Sequence, residues 1–252
     1  MTLTVAAIHR FPVKGLNPEP LDSVVLETGE CLPHDRRFAI AHGASRFDAR
    51  DPDWQPKQQF LTLLKHEWLA HLSVSFDEAS GLLTLCRNGR PVARGNATSP
   101  IGREVINQFL AAFVRGRAPG PCKLVEAPGI AFTDTQDNFV SIINRASVAD
   151  LERVTRKPLD PVRFRGNLLI EGAEPWAESE WVGRTIRVGG ARLVVVEPIG
   201  RCAATTVNPA TAERDVNVPK ALMTGFGHDA CGIYAEVVEG GTVAAGDPLT
   251  LL

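Results

Sequence analysis

The chain has 252 residues, 44% of them hydrophobic, enough to bury the core of one large domain or two smaller ones without disulfides. Its 27 basic and 29 acidic side chains nearly cancel, which leaves no electrostatic footprint for nucleic acid or an anionic membrane. The five cysteines (Cys31, Cys86, Cys122, Cys202 and Cys231) are odd in number, scattered and without a Cys-x-x-Cys pair. That argues against a secreted disulfide framework, a zinc ribbon and a four-cysteine iron–sulfur cluster, and a reducing cytoplasm is expected.

Residues 1–15 reach Pro12 without the apolar block of a signal peptide, and no segment approaches the roughly 20 apolar residues of a membrane helix, so a soluble, unprocessed protein is expected. Short apolar runs bounded by Gly, Pro, Asn and Asp follow at residues 4–9, 24–27, 38–41, 72–76, 82–86, 168–171, 186–188, 193–196 and 233–238, and predict strands. Residues 73–86 read as a hairpin turning at 77–81, and residues 187–196 as another turning at Gly189-Gly190. Residues 50–57 read as a loop over a site.

Helical patterns are few. Ile101, Val105, Phe109 and Phe113 repeat every fourth residue after Ser99-Pro100, a cap followed by proline. Ser147 with Asp150 three residues later opens a second helix carrying Val148, Leu151 and Val154. A third covers residues 218–223. The densest run of breakers, residues 115–121, follows the first helix, and the domain boundary is placed there, giving units 1–118 and 119–252. The fold class expected is mainly β with a few helices (α+β), built as barrels or packed sheets.

Two motifs fail on inspection. The histidines of His66-Glu67-Trp68-Leu69-Ala70-His71 are five apart, which puts them on different helical faces and removes the zinc-protease reading. Gly225-Phe226-Gly227-His228-Asp229-Ala230 has the letters of a dinucleotide fingerprint, but it follows a helix and precedes a strand, the reverse of the required order, and reads as a helix-ending turn.

Cys202 has a more informative setting. It follows Arg201 where the run at 193–196 gives way to the polar stretch Thr205-Thr206-Val207-Asn208-Pro209. A thiol beside a fixed cation is biased toward thiolate, the form that ligates metals. Lys14, Arg36 and the Arg165/Asn167 pair of Arg163-Phe164-Arg165-Gly166-Asn167 each lie next to an apolar stretch, where cations can converge on one anionic ligand.

Taken together, Phe11-Pro12-Val13-Lys14, Asp35-Arg36-Arg37-Phe38, Arg163 to Asn167, Arg201 to Pro209 and Gly246-Asp247-Pro248 resemble the MOSC-domain proteins, in the two-part form of the mitochondrial amidoxime-reducing components. The resemblance implies a MOSC β-barrel preceded by a smaller amino-terminal β-barrel-like domain. It also implies the molybdenum cofactor (Mo-molybdopterin), with Cys202 as metal ligand and catalytic centre. Lys14, Arg36, Arg165, Asn167 and Arg201 would be cofactor contacts, and Asn144 and Ser147 would line the site at a helix amino end.

Three positions depart from the family pattern. Ile199 stands where a second cysteine is common, Gly166 replaces a proline, and Gly15 replaces a serine. Cys231 occupies a position usually aromatic or aliphatic. No counterpart of the pyridoxal-phosphate desulfurase domain or of a ferredoxin-like extension is seen. The expected activity is therefore an oxidoreductase that reduces N-hydroxylated small molecules with electrons from a separate electron-transfer protein. The alternative is a cofactor or sulfur carrier with a delivery partner, and a third reading is an interaction module that has lost its cofactor. Neither nucleic acid nor membrane is expected as a partner.

Overall fold

Val5 and Ile8 are three apart and would face opposite sides of a regular strand, yet both are buried to 1% exposure. A register shift between Val5 and Ala7 turns them onto the same core. The structure, a computed structural model, describes residues 2–50, 56–127 and 129–252, so the expected loop at 50–57 lies mostly outside the described residues.

In chain order the elements are β1 (Thr4–Arg10), β2 (Glu19–Leu21), β3 (Ser23–Leu26), β4 (Phe38–Ala41), β5 (Leu72–Asp77), β6 (Leu82–Arg87), β7 (Arg90–Asn96) and α1 (Pro100–Val114). Then follow β8 (Lys123–Glu126), β9 (Val140–Asn144), α2 (Arg145–Thr155), β10 (Leu168–Glu171), β11 (Thr185–Val188), β12 (Ala191–Gly200), α3 (Val218–Phe226), β13 (Ala230–Glu239), β14 (Gly241–Ala244) and β15 (Leu249–Leu251). The fold is mainly β with a few helices, as the sequence implies. No helix among the described residues is long and apolar enough to cross a membrane.

Eight strands form one curled sheet in the order β15-β11-β12-β13-β9-β10-β1-β2. Its pairs are antiparallel except β9 with β10, which are parallel and joined by α2, since two parallel strands need a crossover. The apolar faces of this sheet bury Val5, Ile8, Ile142, Leu168, Leu193 and Ile233. A second core gathers Phe38, Ile40, Leu61, Leu72, Leu83 and Leu110 around the β5-β6-β7 sheet and α1. Strand pairing crosses residue 118 three times: β1 pairs with β10, β3 with β14 and β4 with β8.

Both predicted hairpins form, and β11 turns into β12 at Gly189-Gly190. Ser99 caps α1 by accepting the Gly102 amide, with Pro100 in the first turn. For α2 the structure corrects the cap: Asn144 accepts the Ala146 amide, and Ser147 lies inside the first turn. The turn at residues 225–230 ends α3 at left-handed Gly227 and leads into β13. The 66–71 segment is a short 3-10 turn with His66 against Trp68.

Candidate functional site

β12 ends at Gly200, and the Arg201 amide is tied to the Asp229 carbonyl at 2.9 Å. The chain then turns through a short 3-10 segment, Ala203–Thr206, that Cys202 precedes. Both the amide and the hydroxyl of Thr205 donate to the Cys202 carbonyl, at 3.1 and 2.9 Å. This fixes the Cys202 backbone and leaves its side chain half-buried on the wall of a cavity of about 420 Å³.

Arg201 lines the same cavity, but its guanidinium is directed at backbone. Nε donates to the Cys231 carbonyl at 2.7 Å and Nη1 to the Phe164 carbonyl at 2.8 Å. Burial lowers its pKa, against the pull of Cys231, Tyr234 and Cys202. Arg201 therefore clamps the β12 exit onto β13 and adds positive potential without a hydrogen bond to the thiol.

Lys14, Arg36 and Arg165 also reach this cavity. Phe11, fully buried, organises two of them, because the Arg36 and Arg165 guanidinium carbons each sit 4.4 Å from its ring centroid. Arg36 pairs with Asp35 and donates to the Arg165 carbonyl at 2.7 Å. Arg165 donates through Nη1 to the Leu16 carbonyl at 2.8 Å, while its buried Nη2 has no hydrogen-bond partner. Burial, with Arg36 beside it, lowers the Arg165 pKa to about 9. Its charge is under-compensated, and an anion in the cavity would relieve that.

Lys14 is 7% exposed, and Nζ donates to the Phe132 carbonyl at 2.8 Å and to Asp134 at 2.5 Å. Burial lowers its pKa even with Asp134 beside it. Burial alone would raise the Asp134 pKa, but Lys14, Lys57 and Arg36 outweigh it and hold the group at about 2.

Asn167 lines the cavity with its amide already engaged. Oδ1 accepts from the amide and hydroxyl of Ser141 at 3.1 and 2.7 Å, and Nδ2 donates to the His9 carbonyl at 3.3 Å. It stitches β9, β10 and β1 together behind the basic groups.

Asn144 and Ser147 are not brought to the cavity, which corrects the expectation that they line the site. Three residues after Ser141, Asn144 falls on the other face of β9. It donates to the Glu178 carboxylate at 2.8 Å, as does the Ser147 hydroxyl, in a fully buried cluster. Burial raises the Glu178 pKa despite these donors.

The departures at Gly15 and Gly166 have local causes. Gly15 has φ +87°, and a Cβ there would lie 2.9 Å from the Leu61 carbonyl oxygen. At Gly166 a Cβ would meet Ile143 Cγ1 at 2.3 Å. Cys231 is sealed, and burial pushes its thiol up to about 12.

Sequence reasoning missed Asp134, Phe139, Glu197 and Tyr234, which line the cavity too. Tyr234 is the chain's one tyrosine, and Glu197 breaks an apolar run just before the Arg201-Cys202 pair, so both carried a usable signal. Among the described residues no three His, Cys, Asp or Glu side chains converge as a protein-only metal cage.

Residues 129–250 match the MOSC domain family. Human mitochondrial amidoxime-reducing component 1 is 29% identical over 135 residues, covering 49% of this chain and 39% of the relative. Molybdenum cofactor sulfurase of Caenorhabditis elegans is 26% identical over 233 residues, covering 87% of this chain and 31% of the relative. The chain thus spans less than half the length of these curated relatives. Among solved structures, Bacillus subtilis YuaD aligns with 100% of this chain and 96% of its own at 10% identity and TM-score 0.46. Geobacillus stearothermophilus YiiM aligns with 45% and 53% at 22% identity and TM-score 0.36. The residues that match the MOSC domain family, 129–250, carry Arg165, Asn167, Arg201 and Cys202, while Lys14 and Arg36 reach the same cavity from outside the match.

Proposed function

We propose that this cavity holds the molybdenum cofactor and that the chain is an oxidoreductase reducing N-hydroxylated compounds with electrons from a separate redox protein. The observation that carries the reading is the unpartnered, buried Nη2 of Arg165 beside Lys14 and Arg36, in a cavity that also exposes the Cys202 thiol. The donor set fits the group. A phosphate-bearing pterin brings negative charge to Arg165, the one of the three cations without a carboxylate partner among the described residues, and a thiolate suits a soft, redox-active metal.

When bound, the cofactor supplies the two-electron chemistry that converts an N-hydroxyl group to N–H. In this reading Cys202 anchors the metal. Lys14, Arg36 and Arg165 neutralise and orient the phosphate, and Arg201 and Asn167 keep the wall rigid through the backbone bonds they make. The division into units 1–118 and 119–252 and a cytoplasmic location belong to the same proposal.

Metal analysis with turnover tests it. Wild-type protein produced with cofactor biosynthesis contains molybdenum and, with a chemical reductant, converts benzamidoxime to benzamidine, while Cys202→Ala falls to background in both. Loading without turnover, with transfer to an apo-enzyme, indicates the carrier instead. Absence of molybdenum from wild type overturns the reading.

A further inference from the structure

The turn that presents Cys202 is not held by the eight-stranded sheet it leaves. After Ala203–Thr206 the chain makes a short hairpin, in which Val207 bridges Arg214 and the Asn208 amide donates to the Glu213 carbonyl at 2.8 Å. Asn208 closes its tip, since Oδ1 accepts the Ala210 amide at 2.9 Å. Val207 and Ala212, 2% and 5% exposed, are buried in the second core, around the β5-β6-β7 sheet and α1, and Ala204 packs against it. Asn17 ties the hairpin there, Nδ2 donating to the Pro209 and Ala70 carbonyls at 2.8 Å each.

The hairpin returns Arg214 to the turn. Nη1 donates to the Ala203 carbonyl at 2.9 Å and to the Thr206 hydroxyl at 2.8 Å. Nη2 donates to the Leu63 and Leu64 carbonyls at 2.9 and 3.0 Å and pairs with Glu67 at 3.2 Å. Leu63, Leu64, Ala204 and Thr205 all line the cavity. One planar fork therefore joins two stretches of its wall, the Cys202 turn and a segment that begins 151 positions from Arg214 in the chain. A lysine ammonium carries the same charge on a single nitrogen and lacks the fork. Asp215, next in sequence, holds the turn independently. It accepts from Arg163 Nη2 at 3.1 Å, and Arg163 Nη1 donates to the Thr205 carbonyl at 3.2 Å.

We infer that Arg214 is a positioning residue for Cys202. Through its fork and the inserted hairpin, the second core rather than the sheet sets where the thiol stands against Leu63 and Leu64. The inference rests on the reading above only in taking Cys202 as the working thiol, since every contact it uses lies within the chain.

Metal-free wild type, Arg214→Lys, Arg214→Ala and Asn17→Ala are alkylated with iodoacetamide at one pH in native buffer, and each cysteine is followed by peptide mass spectrometry. Half-buried Cys31 and Cys86 serve as references, and buried Cys122 and Cys231 report that the fold holds. Arg214→Lys reacts at Cys202 about fivefold faster than wild type, the effect of roughly one lost hydrogen bond on opening of the turn, with the references within about twofold. Arg214→Ala is at least as fast, and Asn17→Ala is about threefold faster than wild type. Produced with cofactor biosynthesis, Arg214→Lys holds about tenfold less molybdenum per folded molecule.

A wild-type Cys202 rate in Arg214→Lys overturns the inference, by leaving Arg214 a charge effect or none. An equal rise at Cys31 and Cys86 overturns it too, by making the role one of general stability, as does undiminished molybdenum in Arg214→Lys where wild type is loaded. If Cys122 and Cys231 react in the Arg214 variants, Asn17→Ala decides by the same criteria. Absence of molybdenum from wild type defeats the cofactor reading instead, and the alkylation rates still decide this inference.

Discussion

Two sets of buried polar side chains meet opposite faces of β9, and they differ in whether their hydrogen bonds close. Around Asn144 they close. Its Nδ2 donates to Glu178 and to the Glu174 carbonyl, its Oδ1 accepts from Ala146, and Ser147 both donates to Glu178 and accepts from the Trp176 amide. Around Arg165 they do not, because Nη2 there and Nε of the neighbouring Arg163 have no partner. Buried polar groups in folded proteins are ordinarily paired, so a closed cluster reads as architecture and an open one as a place prepared for something else. Both clusters hold residues that a family resemblance marks as functional, and only the bonding inventory separates them.

Three variants press on that distinction. Glu178→Ala strands the Asn144 amide and the Ser147 hydroxyl in a dry interior and should cost about 3 kcal/mol in denaturant unfolding. Molybdenum per folded molecule should be unchanged; a drop in metal at constant stability would move this cluster into the site. Arg165→Met should do the reverse. Unfolding free energy stays within about 1 kcal/mol, because a poorly compensated charge is removed, while retained cofactor falls about tenfold. A large stability loss with full retention would make Arg165 structural.

The smallest effect lies in the pH dependence of Asp134. Its folded value of about 2 is below the ordinary 3.8, so the native state favours its ionised form. The contribution is complete above about pH 4 and is lost as pH falls through 2. Unfolding curves of wild type and Asp134→Asn should therefore differ by a constant amount above pH 4 and converge between 4 and 2. A difference independent of pH over that range would show that the pairing with Lys14 does not stabilise the fold.

Local signals in the sequence were strong enough to place the first strand, the two hairpins and the Ser99 cap. Each depends on residues within a few positions of one another, where periodicity and turn chemistry act directly. β9 escaped because Val-Ser-Ile-Ile-Asn is short and buried on both faces, each of which mixes apolar with polar residues, so no alternation marks it as a strand. The Asn144 and Ser147 assignment found the helix start and misjudged its surroundings. Glu178 lies 31 residues beyond Ser147, and no local pattern announces it.

What the sequence by itself determined is chemical: a lone thiol next to arginine at a strand end, cations spaced along the chain, and a mostly β fold with few helices. What only the tertiary structure decided is which of those groups remain unspent. Asp134 meets Lys14 across 120 residues, Arg201 turns its fork to backbone carbonyls, and a register shift sets Glu197 opposite Tyr234. Residue type fixes what a side chain can bond, but long-range packing fixes what it does bond, and a ligand site consists of the groups left over.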